Sequence, residues 1–167
     1  MTQIKICGVT TLDDALMCAE TGADLLGLNF YPPSPRSLTP TTARLITESL
    51  RQTLGETCPL LIGVFVNLGG AEIVRILDEV GLDGAQLSGG ESSSVLADLN
   101  GRGFKAIRPR SRDEALDYAA PFISFAPMDD RLPSLLMDAY HKDLYGGTGE
   151  QASIEVALAV KPLFPRL

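Results

Sequence analysis

"LLIGVFVN" (60–67), followed after one residue by "GGAEIVRILDEVG" (69–81), is the stretch that decides the fold. The first run is apolar on both faces of an extended chain, which is how a parallel strand covered on each side by helices reads, not one with a face open to water. The second places Ile73, Val74, Ile76, Leu77 and Val80 on one helical stripe, with Glu72, Arg75, Asp78 and Glu79 largely opposite. Together they make one strand-helix unit.

The unit recurs on both sides. Strands are expected near 2–7, 24–30, 60–67, 83–87, 104–108 and 134–139, and helices near 12–22, 40–53, 70–81, 91–102, 111–120 and 150–162. Helix starts carry local signals. Thr11 with Asp14 and Ser111 with Glu114 fit the capping-box pattern, and Thr39 before Pro40 supplies a cap and a proline at the first helical position. "APFISFAPMDDRLP" (120–133) is broken by Pro121, Pro127 and Pro133 and reads as an irregular connection.

Six such units imply an α/β fold with a parallel sheet, either a closing (β/α) barrel or an open sheet wound on both sides. A second regularity favours the barrel: the apolar runs end on Cys7, Asn29, Asn67, Gln86, Arg108 and Asp138. In a barrel these ends converge on one mouth; in an open sheet they are strung along a line.

Composition narrows the function classes. The chain has 167 residues, 45% of them hydrophobic, which fits one globular domain with an aliphatic core. Its net charge of -7 argues against nucleic-acid or anionic-membrane binding, and no segment approaches the ~18 apolar residues of a membrane span. A cytoplasmic location is expected. Cys7, Cys18 and Cys58 show no C-x-x-C spacing and have no histidine pair nearby, so reduced thiols are expected and no metal site. The lone His141 reads as a surface loop residue.

Five strings carry a resemblance: "KICGVT" (5–10), "GADLLGLNFYPPSPRSLTP" (22–40), "GVFVN" (63–67), "GAQLSGGE" (84–91) and "LLMDAYHKDLYGGTGE" (135–150). In this order and spacing the chain resembles the phosphoribosylanthranilate isomerases, (β/α)8 barrel enzymes of tryptophan biosynthesis. Two strings depart from the family pattern. Ser88 stands where the family usually reads the histidine of Q-L-H-G, and "QASIE" (151–155) stands where it usually reads F-D-W. The family's later A-G-G-L segment has no counterpart, so residues 1–167 are expected to form a single incomplete barrel domain of six βα units, lacking the last two.

The resemblance implies a cofactor-free Amadori rearrangement of N-(5-phosphoribosyl)anthranilate, a small phosphorylated aminosugar, with Cys7 as general base and Asp138 as general acid. At neutral pH a free thiol near ~8.5 and an aspartate near ~3.9 both start in the wrong protonation state, so each needs a tuned environment. Gly8, lacking a side chain, lets substrate and backbone amides approach the thiol. Arg36, in a proline-stiffened loop, has the fork that pairs with the anthranilate carboxylate. Asn67, Gln86 and Arg108 are expected to line the substrate, and Gly146, Gly147, Thr148 and Gly149 form a glycine-rich turn into a helix that suits an anion. Barrel phosphate sites are mostly built by the loops after strands seven and eight.

Each of these residues has a plainer reading: Cys7 a buried filler, Asp138 an aspartate bonding loop amides, Arg36 a solvated arginine, 146–149 a tight turn. A different class of function also fits, a non-catalytic barrel fragment that self-associates through open edges at the first and sixth strands, so that monomer and homodimer are both expected states. A metal-dependent phosphosugar epimerase would need a His/Asp metal set that the sequence lacks.

Overall fold

The computed structural model describes residues 3–139, 153–164 and 166–167. Strands and helices alternate along the chain, and the six strands lie in one sheet in the order β1-β2-β3-β4-β5-β6. Strand order equals chain order, without a jump, which is the winding of a (β/α) barrel and not of a doubly wound sheet. By packing, the chain divides into two compact units, residues 1–65 with 71–85 and residues 66–70 with 86–167.

The first unit contains β1 (Lys5–Cys7), α1 (Leu12–Glu20), β2 (Leu25–Asn29), α2 (Pro40–Leu54), β3 (Leu60–Phe65) and nearly all of α3 (Gly70–Val80). β1–β2 and β2–β3 are parallel, with Cys7 beside Gly27 and Gly27 beside Ile62. All six residues of β3 are buried, so the strand is apolar on both faces as its sequence requires. Ile73, Ile76, Leu77 and Val80 are the buried side of α3, while Glu72, Arg75, Asp78 and Glu79 are exposed.

Two polar contacts fasten this unit from within. Thr47 of α2 is buried, and its Oγ1 donates to Val80 O at 2.6 Å, occupying a carbonyl that the end of α3 leaves without a helical partner. Asp83 Oδ2 accepts from the Leu61 amide at 2.7 Å, at the start of β3, and both its oxygens meet Arg51 Nη2 at 3.0 Å.

The expected helix starts are present. Thr11, Thr39 and Ser111 each accept from the amide three residues on, and Pro40 occupies the first turn of α2. Ser153 does the same for α6. The return half of each capping box differs from the pattern: Asp14 accepts from Thr11 Oγ1, and Glu114 accepts from the Arg110 amide, one residue before the cap.

The second unit contains the end of β4 (Gly84–Leu87), then α4 (Ser93–Asp98), β5 (Gly103–Ile107), α5 (Arg112–Ala119), β6 (Leu135–Met137) and α6 (Ile154–Val160). β5 and β6 are parallel, with Lys105 beside Leu135 and Ile107 beside Met137. Residues 120–134 form one short 3-10 turn at Ala120–Phe122 followed by irregular chain, as the three prolines dictate. α4 is shorter than the 91–102 read from the sequence. At its front Glu91 is drawn into the interior, and behind it Asn100 and Gly101 take left-handed backbone, φ 52° and 79°, which ends a right-handed helix. No helix among the described residues is long and apolar enough to cross a membrane.

Candidate active site

The chemistry-bearing side chains named from sequence sit at the C-terminal ends of the strands and in the loops that follow, and each unit holds its own cluster. In the first, Cys7 ends β1 and is exposed, which overturns the buried-filler reading of this thiol. Its neighbourhood is shaped by two glycines. A Cβ on Gly27 would lie 2.9 Å from Cys7 Sγ and 3.0 Å from Lys5 Nζ, so the bare backbone of β2 opens one space that receives both the thiol and an ammonium. No motif in the sequence marks Lys5 as a site residue. The signal was available in the two-residue period of a strand, which puts residues 5 and 7 on the same face.

Gly8 has φ +83°, a left-handed conformation that favours glycine, and a Cβ there would meet the Arg36 guanidinium at 2.5–2.8 Å. Arg36 Nη1 donates to Cys7 O at 2.8 Å. The proline-rich loop thus brings the guanidinium of the exposed Arg36 against the Cys7–Gly8 turn. The Gly8 amide is not offered to a ligand: it donates to Gly27 O at 2.8 Å, and Val9 N shares the same carbonyl at 3.1 Å. Gly8 therefore gives Arg36 room and does not supply an N–H beside the thiol. Asn29, at the end of β2, turns its Oδ1 to the Tyr31 amide at 2.8 Å and serves the loop.

In the second cluster Gln86 is buried in β4. Its Nε2 donates to Ser88 Oγ at 3.0 Å, while its Oε1 is buried and has no hydrogen-bond partner among the described residues. A buried amide oxygen left unpaired costs free energy unless a ligand or water supplies a donor. Arg108, one residue beyond β5, donates through Nη2 to Ser88 O at 3.0 Å. Asn67 is exposed, with φ 56°; its Oδ1 accepts from Gly90 N at 2.7 Å and its amide donates to Glu91 Oε1 at 2.7 Å. Asp138 follows β6 and is half-buried. Its amide donates to Ile107 O at 2.9 Å and its Oδ1 accepts from the Ala139 amide at 2.9 Å, so one oxygen does bond a loop amide.

Beneath these groups lies a buried ion pair that the sequence reading missed. Lys105, in the middle of β5, and Glu91 meet at 3.0 Å with almost no exposure. Burial pushes the Lys105 ammonium below its ordinary pKa, with Glu91 opposing that shift. A lysine flanked by Phe104 and Ala106 in an apolar run gave no periodic warning of this role. Gly146, Gly147, Thr148, Gly149 and His141 lie outside the described residues. Among those described, no group of His, Cys, Asp or Glu side chains could hold a metal ion.

Six strands in chain order, with Cys7, Asn29, Asn67, Gln86, Arg108 and Asp138 at or within two residues of their C-terminal ends, define a protein of the (β/α)-barrel class. The family model of N-(5'-phosphoribosyl)anthranilate (PRA) isomerase matches residues 4–159, and the chain belongs to that family. It is 37% identical over 161 residues to N-(5'-phosphoribosyl)anthranilate isomerase of Citrifermentans bemidjiense, covering 96% of this chain and 71% of that protein. The phosphoribosyl anthranilate isomerase structure from Thermotoga maritima matches with TM-score 0.81 and 29% identity, over 98% of this chain and 74% of that one. A further structure, of phosphoribosyl anthranilate isomerase in complex with reduced 1-(o-carboxyphenylamino)-1-deoxyribulose 5-phosphate, matches with TM-score 0.71 and 31% identity, over 84% of this chain and 66% of that one.

Proposed function

We propose that this protein isomerises N-(5-phosphoribosyl)anthranilate to 1-(2-carboxyphenylamino)-1-deoxyribulose 5-phosphate, without a cofactor, as a step of tryptophan biosynthesis. Family membership supports the reaction, and a relative of similar fold holds a reduced form of that product. The observation that carries the residue roles is the Cys7 thiol, exposed at the end of β1 under the Arg36 guanidinium and beside Lys5.

The chemistry needs an acid, a base and a carboxylate anchor. Protonation of the furanose ring oxygen opens the aminosugar to an imine, and Asp138 is the acid that delivers this proton. The C2 proton, acidified by the imine, then leaves to Cys7 as a thiolate, giving an enolamine that ketonises to the product. Arg36 pairs with the anthranilate carboxylate, which fixes the aromatic end while the sugar end reacts. Gln86 and Arg108 are substrate-binding residues, the unpaired Gln86 oxygen taking a donor such as a sugar hydroxyl. Asn67 and Gly8 shape the loops, and residues 146–149 supply amides to the phosphate.

The test is steady-state isomerisation of substrate generated in situ. Cys7→Ala and Asp138→Asn should each lower kcat by ~10²- to 10⁴-fold, the usual worth of a positioned acid or base. Near-parental turnover in both variants would refute the assigned roles.

A further inference from the structure

Lys105 and Glu91 do more than neutralise each other. Lys105 Nζ also lies 2.7 Å from Gly89 O and 3.0 Å from Leu87 O and Ala106 O, so its three N–H groups are shared among these carbonyls and Glu91. Glu91 spends its other oxygen on the amides of Asn67, at 2.7 Å, and Gly89, at 3.1 Å. Asn67 in turn holds the Gly90 amide, and a Cβ on Gly89 would run into Asn67. The pair thus closes a circuit of polar contacts from β5 through the loop after β4 to the loop after β3, within one unit of the chain.

Stability alone gives no reason for this arrangement. Both partners lose their hydration, and a buried ion pair is commonly no more stabilising than apolar residues of similar volume. What apolar side chains cannot do is fix the direction of peptide groups. Here Gly89 N, Gly89 O, Gly90 N and Asn67 N are all bound by the circuit or by the asparagine it holds. Immediately before this loop stands Ser88, whose hydroxyl receives Gln86 Nε2 and whose carbonyl receives Arg108 Nη2. Where the loop holds Ser88 therefore bears on the orientation of both side chains.

We propose that Glu91 and Lys105 are positioning residues for the isomerase reaction, acting through Ser88 to aim the Gln86 amide and the Arg108 guanidinium at the substrate. This rests on the activity proposed above. The pair does not touch the reacting atoms; its contribution is the fixed geometry of the groups that do.

The experiment uses the full chain and the double variant Lys105→Met/Glu91→Leu, which removes both charges together and leaves neither buried alone. Urea midpoints, amide hydrogen exchange at Asn67, Gly89 and Gly90, and kcat and KM are measured on both. A cooperative fold is expected, with faster exchange at those three amides and kcat/KM lower by about 10-fold or more, as misplacement by a fraction of an ångström produces. Coupling separates aiming from general support. Gln86→Ala should lower kcat/KM in the parent but add less than about threefold in the double variant, because residues acting through one another are not additive.

Should the double variant not fold, Glu91→Gln carries the same criteria, since its amide can satisfy the two backbone N–H groups or the ammonium but not both. An active parent with an equally active variant of the pair, or a Gln86→Ala loss that multiplies in full in both backgrounds, overturns the proposal. A parent without turnover overturns the isomerase reading and this one together, which distinguishes the two failures.

Discussion

Gly8→Ala separates two effects that a single glycine combines. At φ +83° a side chain carries a strain of about 1–2 kcal/mol, and the added methyl must also displace guanidinium atoms standing 2.5–2.8 Å from its position. Carbon contacts relax at about 3.5 Å, so Arg36 has to move by roughly 1 Å. Because the clash is with the far end of a flexible side chain, that movement adds little to the stability loss; it spoils the carboxylate anchor proposed for Arg36 instead. Gly22→Ala is the matched control, with φ +90° and nothing within 4 Å of its Cβ. Both variants should lose about 1–2 kcal/mol in urea denaturation, or ~2–8 °C of Tm for a domain of this size. Only Gly8→Ala should raise KM, by about 10- to 100-fold, the worth of a charged hydrogen bond of ~1.5–3 kcal/mol. Equal KM values in the two glycine variants would refute the idea that Gly8 exists to seat Arg36.

Asp83→Ala should cost about 1–3 kcal/mol in urea denaturation, because it strips the Leu61 amide of its acceptor, whereas Arg51→Met, which removes the partly exposed ion pair and an exposed hydrogen bond to Gly81 O but leaves the Leu61 amide bonded, should cost about 0–1 kcal/mol. Losses of equal size would locate the effect in the ion pair. Hydrogen bonds from Arg110 and Arg131 hold the Glu114 and Asp129 carboxyls below their ordinary pKa values. A carboxyl with a lowered native pKa stabilises the fold above its unfolded value, ~4, and that help fades as pH falls through the native value. The urea midpoint of Arg110→Met/Arg131→Met should therefore lie below that of the parent at pH 7 and converge on it toward pH 2; a constant gap would contradict this origin.

The architecture was legible because its signals are local and redundant. β3 and α3 differ in hydrophobic period, the helix starts carry side-chain caps, and three prolines leave no α-helix or strand between α5 and β6. Cys7 and Arg36 were legible as chemistry, and a shared position at the β1 turn follows from β1 lying next to β2 and the loop after it. What escaped was anything decided by contacts between distant segments. Lys105 looks like an interruption of an apolar strand, and only the fold brings Glu91 and the carbonyls of Leu87 and Gly89 to its ammonium. A bare Gly8 next to Cys7 suggests an open approach to the thiol, yet its amide is taken by Gly27 O, a partner that only strand pairing supplies.

Four helices, α1, α2, α5 and α6, begin on a residue that satisfies its own helix's amide: Thr11, Thr39, Ser111 and Ser153. A helix that starts itself does not depend on the preceding loop for its first turn. The segment between a strand's last residue and the cap can then be lengthened, shortened or recoded while the scaffold stays in register. Substrate preference in this chain is accordingly open to change by loop grafting, with β2, β3 and the capped helices serving as an unaltered chassis.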